Sequence, residues 1–396
     1  MIERRRDRNL LCQLIADRIT ATPAQRITFA EYMDLALYHP QHGYYATKAI
    51  KIGGQGDFFT SPHLGVDFGE LLAEQFWQMW LILGSPSTFT LVEMGAGQGI
   101  LAADILRYLQ KQHPDFFAGL EYVIVEKAHR LIAQQKQILK DWERLSWHTW
   151  EELPPEGIVG CFFSNELVDA FPVHQIAIAH GKLQEVYVTL NSDSPIFTEV
   201  FAEPSTPQLA EYFQLIEINF PSSAYEDGYR SEVNLAAWQW LEQVAAKLQR
   251  GYLLTIDYGY PARRYYHPQR HQGTLQCYYQ HRHHNNPYIY TGCQDITAHV
   301  DFTSLENYGA RCGWQSVGFT HQGLFLMALG MGDRLANLSQ IEDTGFQAVQ
   351  QLLQRREALH QLIDPTGLGN FGVLVQSKGL TAAQQQQPLK GLQIPN

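Results

Sequence analysis

The chain has 396 residues, 45% hydrophobic and 17% charged, with 20 Tyr, 20 Phe and 8 Trp, which is enough for a substantial core and broad packed clefts. Its 40 acidic and 29 basic side chains leave a formal net charge of -11, which excludes a uniformly attractive field for nucleic acid. The 5 cysteines (Cys12, Cys161, Cys277, Cys293, Cys312) are odd in number and form no C-x-x-C pair, so neither a disulfide framework nor a zinc-cysteine site is expected.

Arg4, Arg5, Arg6 and Arg8 open the chain as a solvated basic arm. Leu10, Leu11, Leu14, Ile15 and Ile19 then recur at helical spacing. Thr28 to Glu31 fits a capping box, in which the Thr hydroxyl accepts from an early amide and the Glu reaches back. Tyr38 to Tyr45 and Lys51 to Pro62 are loops dense in Gly, Pro and aromatics, and Phe68, Leu71, Leu72, Phe76, Met79, Trp80 and Leu83 form the stripe of a long amphipathic helix. From Phe89 the rhythm becomes strand, glycine loop, helix. Strands are expected at Phe89 to Glu93, Tyr122 to Val125, 145–149, Ile158 to Phe163 and Tyr252 to Ile256, with Trp314 to Thr320 and Phe371 to Gln376 closing the sheet. Apolar strands alternating with helices imply a parallel sheet covered on both faces, an α/β Rossmann-like architecture. Leu183 to Val200 alternates polar and apolar residues, as an antiparallel insertion does, and Arg263 to Gly292 is a polar, His- and Tyr-rich loop. A Gln- and Leu-rich helix is expected at Phe346 to Leu362, and the Gln-rich tail after Lys378 reads as disordered.

Glu93-Met94-Gly95-Ala96-Gly97-Gln98-Gly99 sits between a strand and a helix, where glycines turn the chain and admit a ligand close to the backbone. A dinucleotide loop G-x-G-x-x-G needs its third glycine at position 100, which is Ile100. A carboxylate at Glu93 would repel a pyrophosphate, yet it suits the cationic amino group of a methionyl moiety. Glu126 ends the next strand, where a ribose-binding acid is expected. Together they point to S-adenosyl-L-methionine, with Glu93, Gly95, Gly97, Gly99 and Glu126 as binding residues. Trp150 with Glu151 and Glu152 is the region for the adenine, and Trp150 reads equally as an ordinary core residue. Asp57, Phe58 and Thr60, in Gly56 to Pro62, would close over the ligand, or else form a helix-entry turn.

Ile158 to Phe163 is followed by Asn165, Glu166 and Asp169, at the strand end where such sheets place their chemistry. With a helical turn beginning near Asn165, Glu166 and Asp169 would share a face and could accept hydrogen bonds from a guanidinium. Orientation of that kind accounts for roughly 7–11 kcal/mol of a barrier in favourable cases. Asp169 as a helix cap and Glu166 at the cofactor edge is the plainer alternative. Asp257 is a further candidate, equally explained by a strand-end turn. His267, His271, His281, His283 and His284 lack metal-site spacing, so no metal is expected.

On these blocks, with Tyr38-His39-Pro40, Pro172-Val173-His174 and Gln294 to Phe302, the chain resembles the MidA/NDUFAF7 family of class I methyltransferases over about Ile27 to Gln376. The resemblance implies a seven-stranded sheet, mostly parallel with its last strand antiparallel, a helical N-terminal extension and inserted elements. It also implies protein arginine methylation on a subunit of respiratory complex I. The expected division is a helical extension with the lid loop over 1–86, the methyltransferase domain over 87–378 with insertions near 183–230 and 261–300, and the tail 379–396. The rivals are a methyltransferase for a small molecule or another side chain, and an assembly chaperone without chemistry. A nicotinamide dehydrogenase is disfavoured by Ile100 and Glu93. The longest apolar run, Leu71 to Leu83, is too short for a bilayer and is interrupted by Glu74, and the start lacks the apolar core of a secretory signal, so the expected setting is cytoplasmic.

Overall fold

A computed structural model describes residues 2–47, 60–191, 197–280, 282–338 and 345–394. The chain forms two compact units, each discontinuous in sequence. One comprises Phe59–Leu167, Glu242–Tyr258 and Ala310–Asn396, and the other Met1–Phe58, Val168–Leu241 and Gly259–Gly309. This differs from the expected extension, domain and tail, because the strands that alternate over 182–202 join the N-terminal helices rather than decorating the main sheet.

The first unit is built on seven strands: β1 (Phe89–Met94), β2 (Leu120–Val125), β3 (Leu145–His148), β4 (Ile158–Asn165), β5 (Leu248–Asp257), β6 (Gln315–His321) and β7 (Gly372–Lys378). Their spatial order is β6-β7-β5-β4-β1-β2-β3. The pairs from β5 through β3 are parallel, and β7 runs antiparallel to both β5 and β6, so the mostly parallel sheet with an antiparallel last strand is as expected. β1 is buried along its whole length, as a strand covered on both faces must be. The helix Asp67–Ile82 lays Phe68, Leu71, Leu72, Phe76 and Met79 into this core, where Phe76 meets Phe163 of β4 with ring centroids 4.9 Å apart.

Two glycines allow β5, β4 and β1 to approach. A Cβ on Gly251 would lie 1.8 Å from the Gly160 carbonyl oxygen, and one on Gly160 would lie 2.0 Å from that of Thr90. Both obstacles are backbone atoms of paired strands and cannot swing aside. Gly251→Ala is therefore expected to cost about 3 kcal/mol, the upper end of ordinary overpacking. A drop in melting midpoint of roughly 6–12 °C in a thermal scan is the check.

The tail is ordered through residue 394, contrary to the expectation of disorder. Leu380 and Leu389 are buried, Thr381 and Gln384 form a capping box, and the Gly391 amide donates to Gln75 at 2.9 Å. Glutamine-rich composition hides these apolar anchors.

In the other unit, Lys182–Leu190 pairs antiparallel with Ile27–Thr28, His174–Ala179 and Phe197–Ala202, and Arg230–Val233 extends the sheet. The Thr28 hydroxyl caps the helix Phe29–Tyr38 by accepting from the Glu31 amide, but the Glu31 carboxylate pairs with Arg18 instead of reaching back. The polar stretch after Arg263 is not one loop: Gln276–Tyr279 pairs with Arg282–His284 and with Asp295–Thr297.

Candidate active site

Parallel strands bring their carboxyl ends to one edge of the sheet, and the register fixes which segments meet there. Glu93 of β1 is level with Phe163 of β4, Met94 with Val125 of β2, and Asn165 of β4 with Ile256 of β5. The glycine loop, Glu126, Asn165-Glu166 and Asp257 therefore leave the sheet side by side.

Gly95, Gly97 and Gly99 have φ of 72°, 53° and 82°, left-handed backbone that L side chains rarely adopt. Gly95 donates its amide to Val125 O at 3.0 Å, and a Cβ there would come within 2.8 Å of Leu167. Gly99 delivers the chain into the helix Ile100–Gln112. Glu93 is 3% exposed and accepts from the Tyr122 hydroxyl at 2.7 Å. Burial, and less strongly the nearby Glu126, raise its pKa to about 7. Glu126 is half-buried, accepts from the Ala128 amide at 2.9 Å, and is also shifted upward, chiefly by burial.

Gln135, on the helix His129–Ile138, is the residue that sequence reasoning missed. Its amide nitrogen donates to Gly97 O at 2.9 Å and to Glu126 at 3.4 Å, while its oxygen accepts from the Trp147 indole at 2.8 Å. One fully buried side chain thus ties the loop, the second acid and β3 together. Its signal was a glutamine on the apolar stripe between Leu131 and Leu139. His63 is a second such residue: the Thr60 hydroxyl lies 2.7 Å from its Nδ1, and its Nε2 lies 3.4 Å from Gln98 Oε1 of the loop. Thr60 is thereby linked to the glycine loop. Asp57 and Phe58 lie outside the described residues. Trp150 stacks on Phe162 at 6.3 Å and is half-buried, and Glu151 and Glu152 are exposed.

The acids after β4 depart from the expected helical turn. The strand runs on through Asn165, Glu166 takes φ of 52°, and only Val168–Ala170 is helical, as a 3-10 turn. Glu166 and Asp169 therefore do not share a helix face, and Asp169, 5% exposed, belongs to the other unit. A non-glycine residue held left-handed costs of order 1–3 kcal/mol, and such strain gathers at functional sites. Glu166 is anchored there by its amide, 2.9 Å from Ile256 O, and its carboxylate accepts from Asn165 Nδ2 at 3.2 Å. The Asn165 side-chain oxygen is buried with no hydrogen-bond partner among the described residues. Asp257, fully buried, accepts from the amides of Leu167 and Tyr258 at 3.2 and 2.9 Å, so it holds the turn beside Glu166.

A seven-stranded sheet in this order, a left-handed glycine loop after β1 and an acid following β2 fit S-adenosyl-L-methionine and define a class I methyltransferase. Residues 71–320 match the family model described as S-adenosyl-L-methionine-dependent methyltransferase. A Drosophila melanogaster relative, "Protein arginine methyltransferase NDUFAF7 homolog, mitochondrial", is 30% identical, covering 95% of this chain and 86% of its own. The Homo sapiens protein of that name is 29% identical over 91% of this chain and 82% of its own. A crystal structure from Burkholderia thailandensis bound to S-adenosyl-homocysteine superposes with a TM-score of 0.84 at 31% identity, covering 98% of this chain and 96% of that one. The chain belongs to the MidA/NDUFAF7 family of S-adenosyl-L-methionine-dependent methyltransferases. The cytoplasmic expectation is overturned by the mitochondrial naming of these relatives. It rested on apolar runs, which report membrane insertion and carry no address.

Proposed function

We propose that this chain is a protein arginine N-methyltransferase, and that its substrate is a subunit of respiratory complex I or a related protein. The single observation that carries the choice of acceptor is Glu166, an acid strained into position beside the cofactor loop with an unpaired buried oxygen on Asn165 next to it. The names of the curated relatives support the same acceptor. S-adenosylmethionine, when bound, supplies a methyl group activated by a sulfonium. Glu93 takes the cationic amino group, Glu126 the ribose hydroxyls, and Gly95, Gly97 and Gly99 the close backbone approach. Thr60, with Asp57 and Phe58, is assigned to closing the pocket. Glu166 accepts N–H bonds from the acceptor guanidinium and orients one nitrogen in line with the methyl group. The C–S bond breaks as the N–C bond forms, and the proton released from nitrogen passes to the carboxylate and then to water. Asp169 is the rival for the same role.

Calorimetric titration with S-adenosylmethionine and separately with NAD, followed by mass-spectrometric mapping of methyl groups transferred to lysate proteins, tests the proposal. Saturable binding of the first ligand alone and methylated arginine are expected. Methylation confined to another side chain or to small molecules would overturn the acceptor, and binding of neither ligand would overturn the enzyme.

Glu93 gives a pH dependence. Its pKa of about 7 means that below neutrality the acid is protonated, and binding a cation there must first expel that proton. Affinity for S-adenosylmethionine is expected to fall by up to about tenfold per unit as the pH drops below 7, while the ligand's amino group stays protonated. Calorimetry across that range checks it. The Glu93→Gln protein should bind weakly with a flat profile, and a flat wild-type profile removes Glu93 from the role.

A further inference from the structure

The unit without the cofactor loop carries a concentration of positive charge that the reaction does not use. Arg263, Arg264, His267, Gln269 and Arg270 line an open pocket of about 710 Å³. The chain as a whole carries -11, yet none of these three arginines makes an ion pair among the described residues. Two of them are nonetheless held in place. The Arg264 guanidinium lies 4.2 Å from the Tyr260 ring centroid and that of Arg270 4.6 Å from it. Stacking on an aromatic face orients a guanidinium without engaging the N–H donors at its edge, of which Arg270 Nε donates to the Arg264 carbonyl oxygen at 3.4 Å. Tyr260 is itself fixed, since Gly259–Tyr260 pairs with Val300–Asp301 and the His299 ring meets Tyr260 edge-on at 5.0 Å. His299 feels the same arginines: burial first, then Arg270 and Arg264, lower its pKa to about 4.

We propose that this arginine pocket binds carboxylate side chains of the protein substrate, docking an acidic segment of that protein rather than its acceptor arginine. The inference rests on the proposed function, which makes the substrate a protein. The sign of the charge separates the two sites: an acceptor guanidinium is drawn to carboxylates and repelled here, whereas acidic residues are attracted. Planar guanidiniums pair bidentately with carboxylates, and the volume suits a few side chains. A long polyanion such as RNA would meet the net negative field of the rest of the chain.

The test uses the full chain and a fluorescein-labelled octaglutamate peptide, read by anisotropy at low and at physiological salt, with S-adenosylmethionine calorimetry on every protein. Arg263→Glu touches the exposed arginine that does not stack on Tyr260, and Arg263→Glu/Arg264→Glu/Arg270→Gln removes the whole set. The wild type should bind the peptide in a salt-sensitive manner, with the triple variant weakened by about tenfold or more and the single variant by a few-fold, as for partly exposed charge pairs. S-adenosylmethionine affinity should not change. No peptide binding by the wild type, or equal binding by the variants, overturns the proposal. Displacement of the peptide by inorganic phosphate at lower concentration than by free glutamate overturns it in favour of a phosphate site. Failure of the wild type to bind S-adenosylmethionine counts against the methyltransferase reading alone, because the peptide result is read independently.

Discussion

Gly97→Val is expected to abolish S-adenosylmethionine binding while leaving the protein folded. Two effects act at this position. With φ of 53°, any L side chain carries the left-handed penalty of about 1–2 kcal/mol, and a β-branched one carries more. That alone weakens binding by roughly 5–30-fold if the loop must hold its shape for the ligand. The second effect is occupancy, because a branched side chain stands where the ligand must approach the backbone. Gly97→Ala isolates the torsional share, so it should lose about tenfold while valine loses binding beyond detection. The Gln135 amide, bonded to Gly97 O, holds the carbonyl in place and keeps the loop from relaxing around the new side chain. Calorimetry gives the affinities, and a melting midpoint within a few degrees of wild type shows that the fold survives. Normal binding by folded Gly97→Val would falsify the cofactor assignment.

The sheet was legible because each buried parallel strand is a continuous apolar run, and the loop because alternating glycines with a preceding acid have few other uses. What escaped the sequence is what depends on contacts distant along the chain. Ser164 and Asn165 are polar, so β4 reads as ending at Phe163. Held on one side by β5, through Thr255 opposite Ser164 and Ile256 opposite Asn165, it continues two residues further, which puts Glu166 in a left-handed turn rather than a helix. Gln135 and His63 reach the glycine loop from 38 and 35 residues away, and no periodicity encodes that contact. The two-unit division was hidden for a related reason. Leu183 to Val200 reads as a local insertion, but its strand Lys182–Leu190 pairs with Ile27–Thr28, near the chain's start. Glu166 and Asp169, equivalent by their spacing, differ in the structure, since the first is held left-handed at the end of β4 and the second lies buried in the other unit.

Glu166→Gln is expected to lower kcat by about 10²–10⁴-fold, the range for loss of a positioned proton-transfer group, with S-adenosylmethionine affinity changed by no more than about two- to threefold. Glutamine keeps the size of the side chain and can still accept from Asn165 Nδ2, so the turn at φ of 52° should hold and stability should change little. What it removes is one of the two acceptor oxygens and the charge, the properties that bind a guanidinium and receive its proton. Glu166→Asp retains the charge but retracts it by a methylene, and partial activity from that protein would argue for positioning over mere electrostatic attraction. Asp169→Asn supplies the contrast. Asp169 is 5% exposed, so its substitution should act on stability more than on turnover. Initial rates on a methylated-arginine readout, with melting midpoints for both proteins, separate the two. If Asp169→Asn loses turnover at full stability while Glu166→Gln does not, the strained residue at the end of β4 serves the fold, and the acceptor acid lies in the other unit.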